Sequence, residues 1–239
     1  MSSSGSRTRA VSSELTRLIR RLRDVYGAPS LPPASDPYHL LLLEQVSYLA
    51  DDVTQLAAYR MLERDVGTRP DQILSASTAV LRKVTRAGGG IAFAERAERL
   101  REVAARVSDH WNGDLGKVLR LTLPQASREL MKFPKIGLPG AERILLLAGA
   151  YPVLALDSNA LRVLLRLGYG KEFPSYPKTY GLVQQEAERD LARTIPARRT
   201  ASLLLQRHGK TICRRATPRC LECPLQPACP YGGGTRRSL

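Results

Sequence analysis

Four cysteines, Cys213, Cys220, Cys223 and Cys229, stand within 17 residues in the order Cys-x6-Cys-x2-Cys-x5-Cys. In a reducing compartment, thiols packed this tightly read as metal ligands, because the thiolate is a metal donor and unpaired thiols have little other reason to cluster. Zinc and an iron-sulfur centre both accept such a donor set, although zinc sites more often use two Cys-x-x-Cys knuckles separated by a longer loop. A second group lies between Phe133 and Asn159. A turn rich in Pro and Gly, Phe133 to Gly140, opens into an apolar helix at Ala141 to Ala148, breaks again at Gly149 to Pro152, and reaches the carboxylate of Asp157. A helix N-terminus offers free backbone N–H groups and a positive dipole end, so a hairpin feeding one is suited to gripping a phosphate. Such a grip positions nucleic acid without reading its sequence. Glu44 is the third candidate, the only acidic residue in the apolar run Tyr38 to Tyr48. On residue type alone it is equally a solvent-facing residue or a site residue.

The elements that must position these groups are helical throughout. Residues 1–10 are expected to form a disordered leader. From Ser12 the positions Leu15, Leu18, Ile19, Leu22 and Val25 repeat at helical spacing, with Arg17, Arg20, Arg21 and Arg23 mostly on other faces. Gly27 to Pro37, with four prolines, is a linker. Asp36 and Pro37 open the next helix, and further helices are expected over Gln55–Val66, Pro70–Ala76, Thr78–Thr85, Ala94–Trp111 and from Pro124. Gly88-Gly89-Gly90 reads as a tight turn and not a phosphate loop, since no strand precedes it and no Gly-Lys-Ser/Thr follows. Beyond Asp157 a helix runs through Leu161, Val163, Leu164 and Leu167, residues 168–181 are expected as a loop, and helices follow at Glu186–Arg193 and Thr200–His208. No useful β alternation and no repeat of solenoid period is visible, so the fold class is all-α.

The charge balance, 37 Lys and Arg against 22 Asp and Glu for a net +15, most often marks a nucleic-acid partner in a soluble protein, although codon bias also yields Arg-rich chains. No apolar run approaches bilayer length, and Met1 to Ala10 lacks the apolar core of a signal peptide. A soluble, cytoplasmic and nucleoid-associated protein without membrane attachment is expected, acting as a monomer. All four cysteines fall in the last 27 residues, unlike the even spread of a secreted disulfide scaffold.

The stretch from Phe133 to Asn159 resembles the helix-hairpin-helix and catalytic aspartate of the endonuclease III superfamily of iron-sulfur DNA glycosylases. Phe133-Pro134-Lys135-Ile136-Gly137 matches the family's Leu-Pro-Gly-Val-Gly hairpin, Asp157 falls where its aspartate stands, and Pro152 and Ala155 also match. A rival register, with Leu138-Pro139-Gly140 on the Leu-Pro-Gly, leaves Asp157 five residues too early. The cysteine spacing resembles the family's [4Fe-4S] loop, down to the preceding His208-Gly209-Lys210. Asp36-Pro37-Tyr38 followed by Glu44 is similar to the corresponding helix of adenine-mismatch glycosylases.

The resemblance, covering roughly residues 36–231, implies a helical barrel domain at 39–151 carrying the hairpin and a discontinuous cluster domain at 11–38 and 152–231, with a tail at 232–239. It implies double-stranded DNA as partner and a [4Fe-4S] cluster on Cys213, Cys220, Cys223 and Cys229, in a mainly structural role. DNA contacts are expected from Lys135, Ile136, Gly137 and Gly140 of the hairpin, from Lys210, Arg214 and Arg215 near the cluster, and from Leu49, which stands where the family carries the residue filling the gap left by an extruded base. Breaking an N-glycosidic bond requires an activated leaving group and a stabilised oxocarbenium-like sugar, the demands that glycoside hydrolases meet with paired carboxylates. Glu44, desolvated on its apolar helix, is expected to serve the base, and ionised Asp157 the sugar, with Asn159 bonded to Asp157 or to substrate or else capping the next helix. The base must first be flipped out of the stack. Bifunctional members use a lysine early in the second hairpin helix. Here that position is Pro139, which has no amine for a Schiff base. A monofunctional DNA glycosylase of base excision repair is therefore the expectation. Two alternatives are a catalytically silent DNA-binding relative, and a bifunctional lyase using a displaced lysine such as Lys135.

Overall fold

A computed structural model describes residues 13–48 and 50–233. The expected leader at 1–10, the gap-filling candidate Leu49, and Gly234, Thr235, Arg236 and Arg237 of the tail lie outside the described residues. In chain order the α-helices are α1 (Glu14–Tyr26), α2 (Pro37–Val46), α3 (Asp52–Asp65), α4 (Pro70–Ser75), α5 (Thr78–Ala87), α6 (Phe93–Trp111), α7 (Leu123–Leu130), α8 (Leu138–Leu147), α9 (Ser158–Arg166), α10 (Tyr176–Arg189) and α11 (Ile195–Thr211). Short 3-10 turns fill Leu115–Arg120 and the cysteine loop, and no strand occurs among the described residues. The all-α expectation holds.

The chain divides into two compact units, one spanning 30–155 and the other joining residues up to Pro29 with those from Leu156 onward. The continuous unit contains α2 to α8. Its centre is α2, whose Leu40, Leu41, Leu42, Leu43 and Val46 are all buried. A helix apolar on every side needs partners all round, and α3, α5, α6 and α8 pack against it. Asp36 starts it as N-cap, its Oδ1 accepting from the N–H groups of Tyr38 at 2.8 Å and His39 at 3.3 Å, with Pro37 in the first turn where its missing N–H is harmless.

The far end of α2 is held by Arg96 of α6, one of the most deeply buried side chains of the molecule. Its guanidinium donates to the carbonyls of Val46 at 2.8 Å, Gly88 at 3.3 Å and Ile91 at 3.1 Å, and also to that of Gly89. The Gly88 carbonyl in turn accepts from Tyr48 N–H at 3.2 Å. The Gly88 turn therefore acts as a seat for the chain leaving α2. A Cβ on Gly88 would stand 1.9 Å from the Val46 oxygen, so no other residue fits there without moving the backbone.

In the discontinuous unit α9 and α11 lie against each other, α1 packs on α11 and α10 on α9. Helix α1 buries Leu15, Leu18, Ile19 and Leu22, as its periodicity predicts, but Val25 is 57% exposed because the helix ends one residue later. The expected loop at 168–181 is shorter than the sequence suggests. Helix α10 begins at Tyr176, with Pro177 in the first turn, and Tyr176 stacks on Tyr180 at 6.2 Å, so the Pro and Tyr residues start a helix instead of extending a loop. Gly232, assigned to the tail from sequence, closes a 3-10 turn and accepts from Gln226 Nε2 at 3.2 Å.

Candidate functional site

Asp157 is the N-cap of α9, with extended backbone ahead of the helix. Its Oδ1 accepts from the N–H groups of Asn159 at 3.0 Å and Ala160 at 2.8 Å. Its Oδ2 accepts from Asn159 Nδ2 and from Gln206 Nε2, both at 3.0 Å. Acceptance from four donors suits an ionised carboxylate, which has no proton to give. Asn159 therefore does not cap the helix; Asp157 does, and Asn159 braces it from within the first turn. The far side of the Asn159 amide is fixed as well, since its Oδ1 accepts from Arg162 Nη2 at 2.9 Å. Tyr176 adds an aromatic group near this carboxylate: burial, and then the charge of Asp157, raise its phenol above the ordinary range.

Arg162 continues outward from the carboxylate. Its Nη2 donates to the Gly209 carbonyl at 2.8 Å and its Nε to the Cys213 carbonyl at 3.0 Å. One guanidinium thus ties the aspartate's neighbour to the backbone of the cysteine loop. Gly209 makes this approach possible, because a Cβ there would lie 2.7 Å from the Asn159 carbonyl oxygen and 2.8 Å from its Cβ. Arg166, one turn further on, donates through Nη1 to the Arg214 carbonyl at 2.9 Å and to Cys213 Sγ at 3.3 Å, and its guanidinium lies 4.3 Å from the centre of the Tyr231 ring.

Cys213, Cys220, Cys223 and Cys229 all line one cavity, together with Ile212, Pro218, Gln226 and Tyr231. About 270 Å³ of space not filled by atoms, part of it open to solvent, lies within and at the mouth of this cavity. Among the described residues no group of three or more His, Cys, Asp or Glu side chains is disposed to hold a single metal ion. Burial pushes the Cys223 and Cys229 thiols up, so a metal must displace protons to bind there. His208, whose imidazole burial lowers to about 4, lies with Nε2 3.4 Å from Cys223 Sγ and with Nδ1 2.8 Å from the Tyr26 hydroxyl. A neutral ring that donates from Nε2 and accepts at Nδ1 satisfies both partners. Lys210, Arg214 and Arg215 carry exposed side chains around this loop. Arg219, also exposed, is occupied by an ion pair with Glu222.

In the continuous unit, residues 131–137 form the turn between α7 and α8. Leu138, Pro139 and Gly140 are the first turn of α8 and not the hairpin itself, which corresponds to the register with Phe133 to Gly137 in the turn. Gly137 is the N-cap without a side-chain cap, so the N–H groups that follow have no intrahelical partner, and Pro139 removes one of them. Lys135 sits at φ 60°, a left-handed backbone that glycine adopts more readily, and its side chain is exposed. Ile136 does not face outward as a contact residue: it is 8% exposed and its N–H is spent on the Phe133 carbonyl at 3.2 Å, so it anchors the turn. Gln45 of α2, buried, donates to the Pro134 carbonyl at 3.0 Å and holds the turn from behind. Glu44 is not in the apolar setting that its helix suggests. Its side chain is 37% exposed and Arg143 Nε donates to its Oε1 at 3.3 Å.

Sequence reasoning missed Gln45, Gln206, Arg143 and Arg162. The only available signal was for Arg162, a basic residue five positions after Asp157 on a short helix. The others become partners solely through packing.

No protein-family profile matches the chain. It is 29% identical over 203 residues to an adenine DNA glycosylase of Mycobacterium tuberculosis, an alignment covering 82% of this chain and 60% of that protein, so the chain spans less than two thirds of that relative's length. It is 26% identical over 219 residues to a thymine-DNA glycosylase of Aeropyrum pernix, covering 90% and 92% of the two chains. Among solved structures, a trapped endonuclease III–DNA covalent intermediate superposes with a TM-score of 0.70 at 21% identity, covering 90% of this chain and 93% of that one. Sequence similarity and shared fold together bear out the resemblance of this chain to the endonuclease III, helix-hairpin-helix superfamily.

Proposed function

We propose that this protein is a monofunctional DNA glycosylase that hydrolyses the N-glycosidic bond of a mismatched or damaged base flipped out of duplex DNA. The observation that carries this reading is Asp157, a carboxylate kept as an acceptor by two backbone and two side-chain donors. A fixed negative charge of this kind stabilises an oxocarbenium-like sugar without having to reorganise as the bond breaks. Glu44 would polarise the departing base, exchanging its contact with Arg143 for one to the base. At the hairpin, Lys135 and the N–H groups after Gly137 would hold a phosphate, and the net charge of +15 would supply the sequence-independent attraction. Proline at position 139 offers no amine, which supports hydrolysis without strand nicking.

The donor set at the cysteine cavity fits a [4Fe-4S] cluster. Four cysteines line one cavity, an all-thiolate donor set of the kind that holds such a cluster, and their Cys-x6-Cys-x2-Cys-x5-Cys spacing resembles the family's cluster loop. When bound, such a cluster contributes iron–thiolate bonds that pin the loop. The chain's own part is to hold Cys213 through Arg162 and Arg166, and to present Lys210, Arg214 and Arg215 to backbone phosphates.

The test is base release from duplexes bearing adenine, thymine or uracil mismatches, alkylated purines and oxidised pyrimidines, each divided between alkaline and neutral work-up. Breaks appearing only after alkali are the expected result and identify the substrate. Breaks at neutral pH, with an adduct trapped by borohydride, would replace this reading with a lyase using a displaced lysine such as Lys135 or another amine. Tight binding with no release from any duplex would leave a silent DNA-binding relative.

A further inference from the structure

We infer that Gln206 is a positioning residue for Asp157 and that, with it in place, Asp157 acts as a fixed negative charge and not as a base toward water. The inference deepens the glycosylase reading and rests on it. A carboxylate offers about four lone-pair sites to donors. In this protein Asn159 N–H and Ala160 N–H occupy Oδ1, and Asn159 Nδ2 and Gln206 Nε2 occupy Oδ2. With those sites filled, accepting a proton from water requires one donor to leave. Holding charge requires nothing to move.

The placement of Gln206 follows from how α9 and α11 meet. Gln206 precedes Gly209 by three residues, so both lie on the face of α11 turned toward α9. Gly209 lets the two helices approach to a distance at which any Cβ would overlap Asn159. That approach brings the Gln206 amide within reach of a carboxylate 49 positions earlier in the chain. The orientation of the amide is decided chemically: an ionised carboxylate can only accept, so the NH2 end must face it. Asn159 is set the same way, its oxygen already claimed by Arg162. Among the described residues, Arg162 from α9 and Tyr176 from α10 are ionisable groups that feel the charge of Asp157.

The experiment is Gln206→Met in the cluster-loaded protein, with single-turnover base release measured from pH 4 to 9 on the substrate found for the unaltered protein. Removing a donor from the charged form disfavours that form, so the acidic limb of the rate profile should move to higher pH, and the rate at neutral pH should fall about tenfold or more. Affinity for the same duplex should stay within about twofold. Thr194→Ala is the structural control, since Thr194 caps the start of α11 and does not touch Asp157. If Gln206 served only to steady α11, both variants would lower stability alike and leave the acidic limb where it was, which would overturn the inference. Should Gln206→Met prove too unstable to assay, a carbon-13 titration of Asp157 in Gln206→Asn decides instead: an unshifted midpoint in the shortened variant refutes the assignment. Absence of base release by the unaltered protein would count against the glycosylase reading itself, and the Asp157 titration would still judge the Gln206 contact.

Discussion

Replacing Arg96 by methionine should be among the most destabilising single changes available in the continuous unit. The side chain is 1% exposed, and it supplies donors to the carbonyls of Val46, Gly88, Gly89 and Ile91. Val46 ends α2, so its carbonyl has no partner within the helix. A hydrogen bond from a charged donor contributes about 1.5–3 kcal/mol, and each buried carbonyl left unpaired costs about 1–3 kcal/mol. These terms do not add in full, because water can enter and the turn can shift. A net loss of about 3–5 kcal/mol is expected, comparable to breaking a buried ionic contact and a large fraction of the roughly 5–15 kcal/mol that holds a typical domain. Urea unfolding followed by circular dichroism should show the midpoint falling at an unchanged slope. Arg96→Lys should recover only part of the loss, since a compact ammonium with three donors cannot span four carbonyls in different directions. A loss below about 1 kcal/mol in Arg96→Met would refute the reasoning. It would mean that the Gly88 turn holds α2 without the guanidinium.

Gly209→Ala should lower stability by roughly 1–3 kcal/mol, as overpacking does, and reduce base release further than it reduces DNA binding, because the clash with Asn159 displaces the groups around Asp157; equal losses in both would count against this. Lys135→Gly should produce effects of opposite sign. Relief of a left-handed backbone worth about 1–2 kcal/mol, less the greater freedom of glycine when unfolded, should leave the protein slightly more stable. The same change should weaken DNA binding and reduce the slope of log affinity against log salt by about 1, and an unchanged slope would remove Lys135 from the phosphate contacts. Cys220→Ser should deplete iron in the purified protein and lower the melting temperature; full iron content in that variant would show that the cysteine is not a ligand.

The local part of this protein is readable from its sequence. The spacing of Leu15, Leu18, Ile19 and Leu22 predicts the buried face of α1, and Asp36-Pro37 marks the start of α2, because helical period and capping act over a few residues. Lysine at 135, where the family's hairpin carries glycine, argues locally against a left-handed backbone, yet the turn imposes φ 60° there. Where local signals pull in different directions, the reading fails. Pro177 and the neighbouring tyrosines suggest a loop at 168–181, yet proline in a first turn and stacked Tyr176 and Tyr180 begin α10 instead. Glu44 reads as desolvated because its neighbours in sequence are leucines, but its actual surroundings include Arg143, 99 positions away.

The amino-acid sequence by itself determined the all-helical class, the clustering of four thiols, the turn ahead of α8 and the carboxylate at the start of α9. Each of these depends on residue types within a turn or two of one another. Only the tertiary structure decided that Gln206 joins Asn159 on Asp157, that Arg162 links that pair to the cysteine loop, and that Arg96 seals the end of α2 against the Gly88 turn. The bonds from Arg96 to Val46, from Arg162 to Cys213 and from Gln206 to Asp157 join residues 49 to 51 positions apart. Their partners are chosen by which helix faces pack together and by where glycine permits backbones to meet, and no rule confined to neighbouring residues can select them.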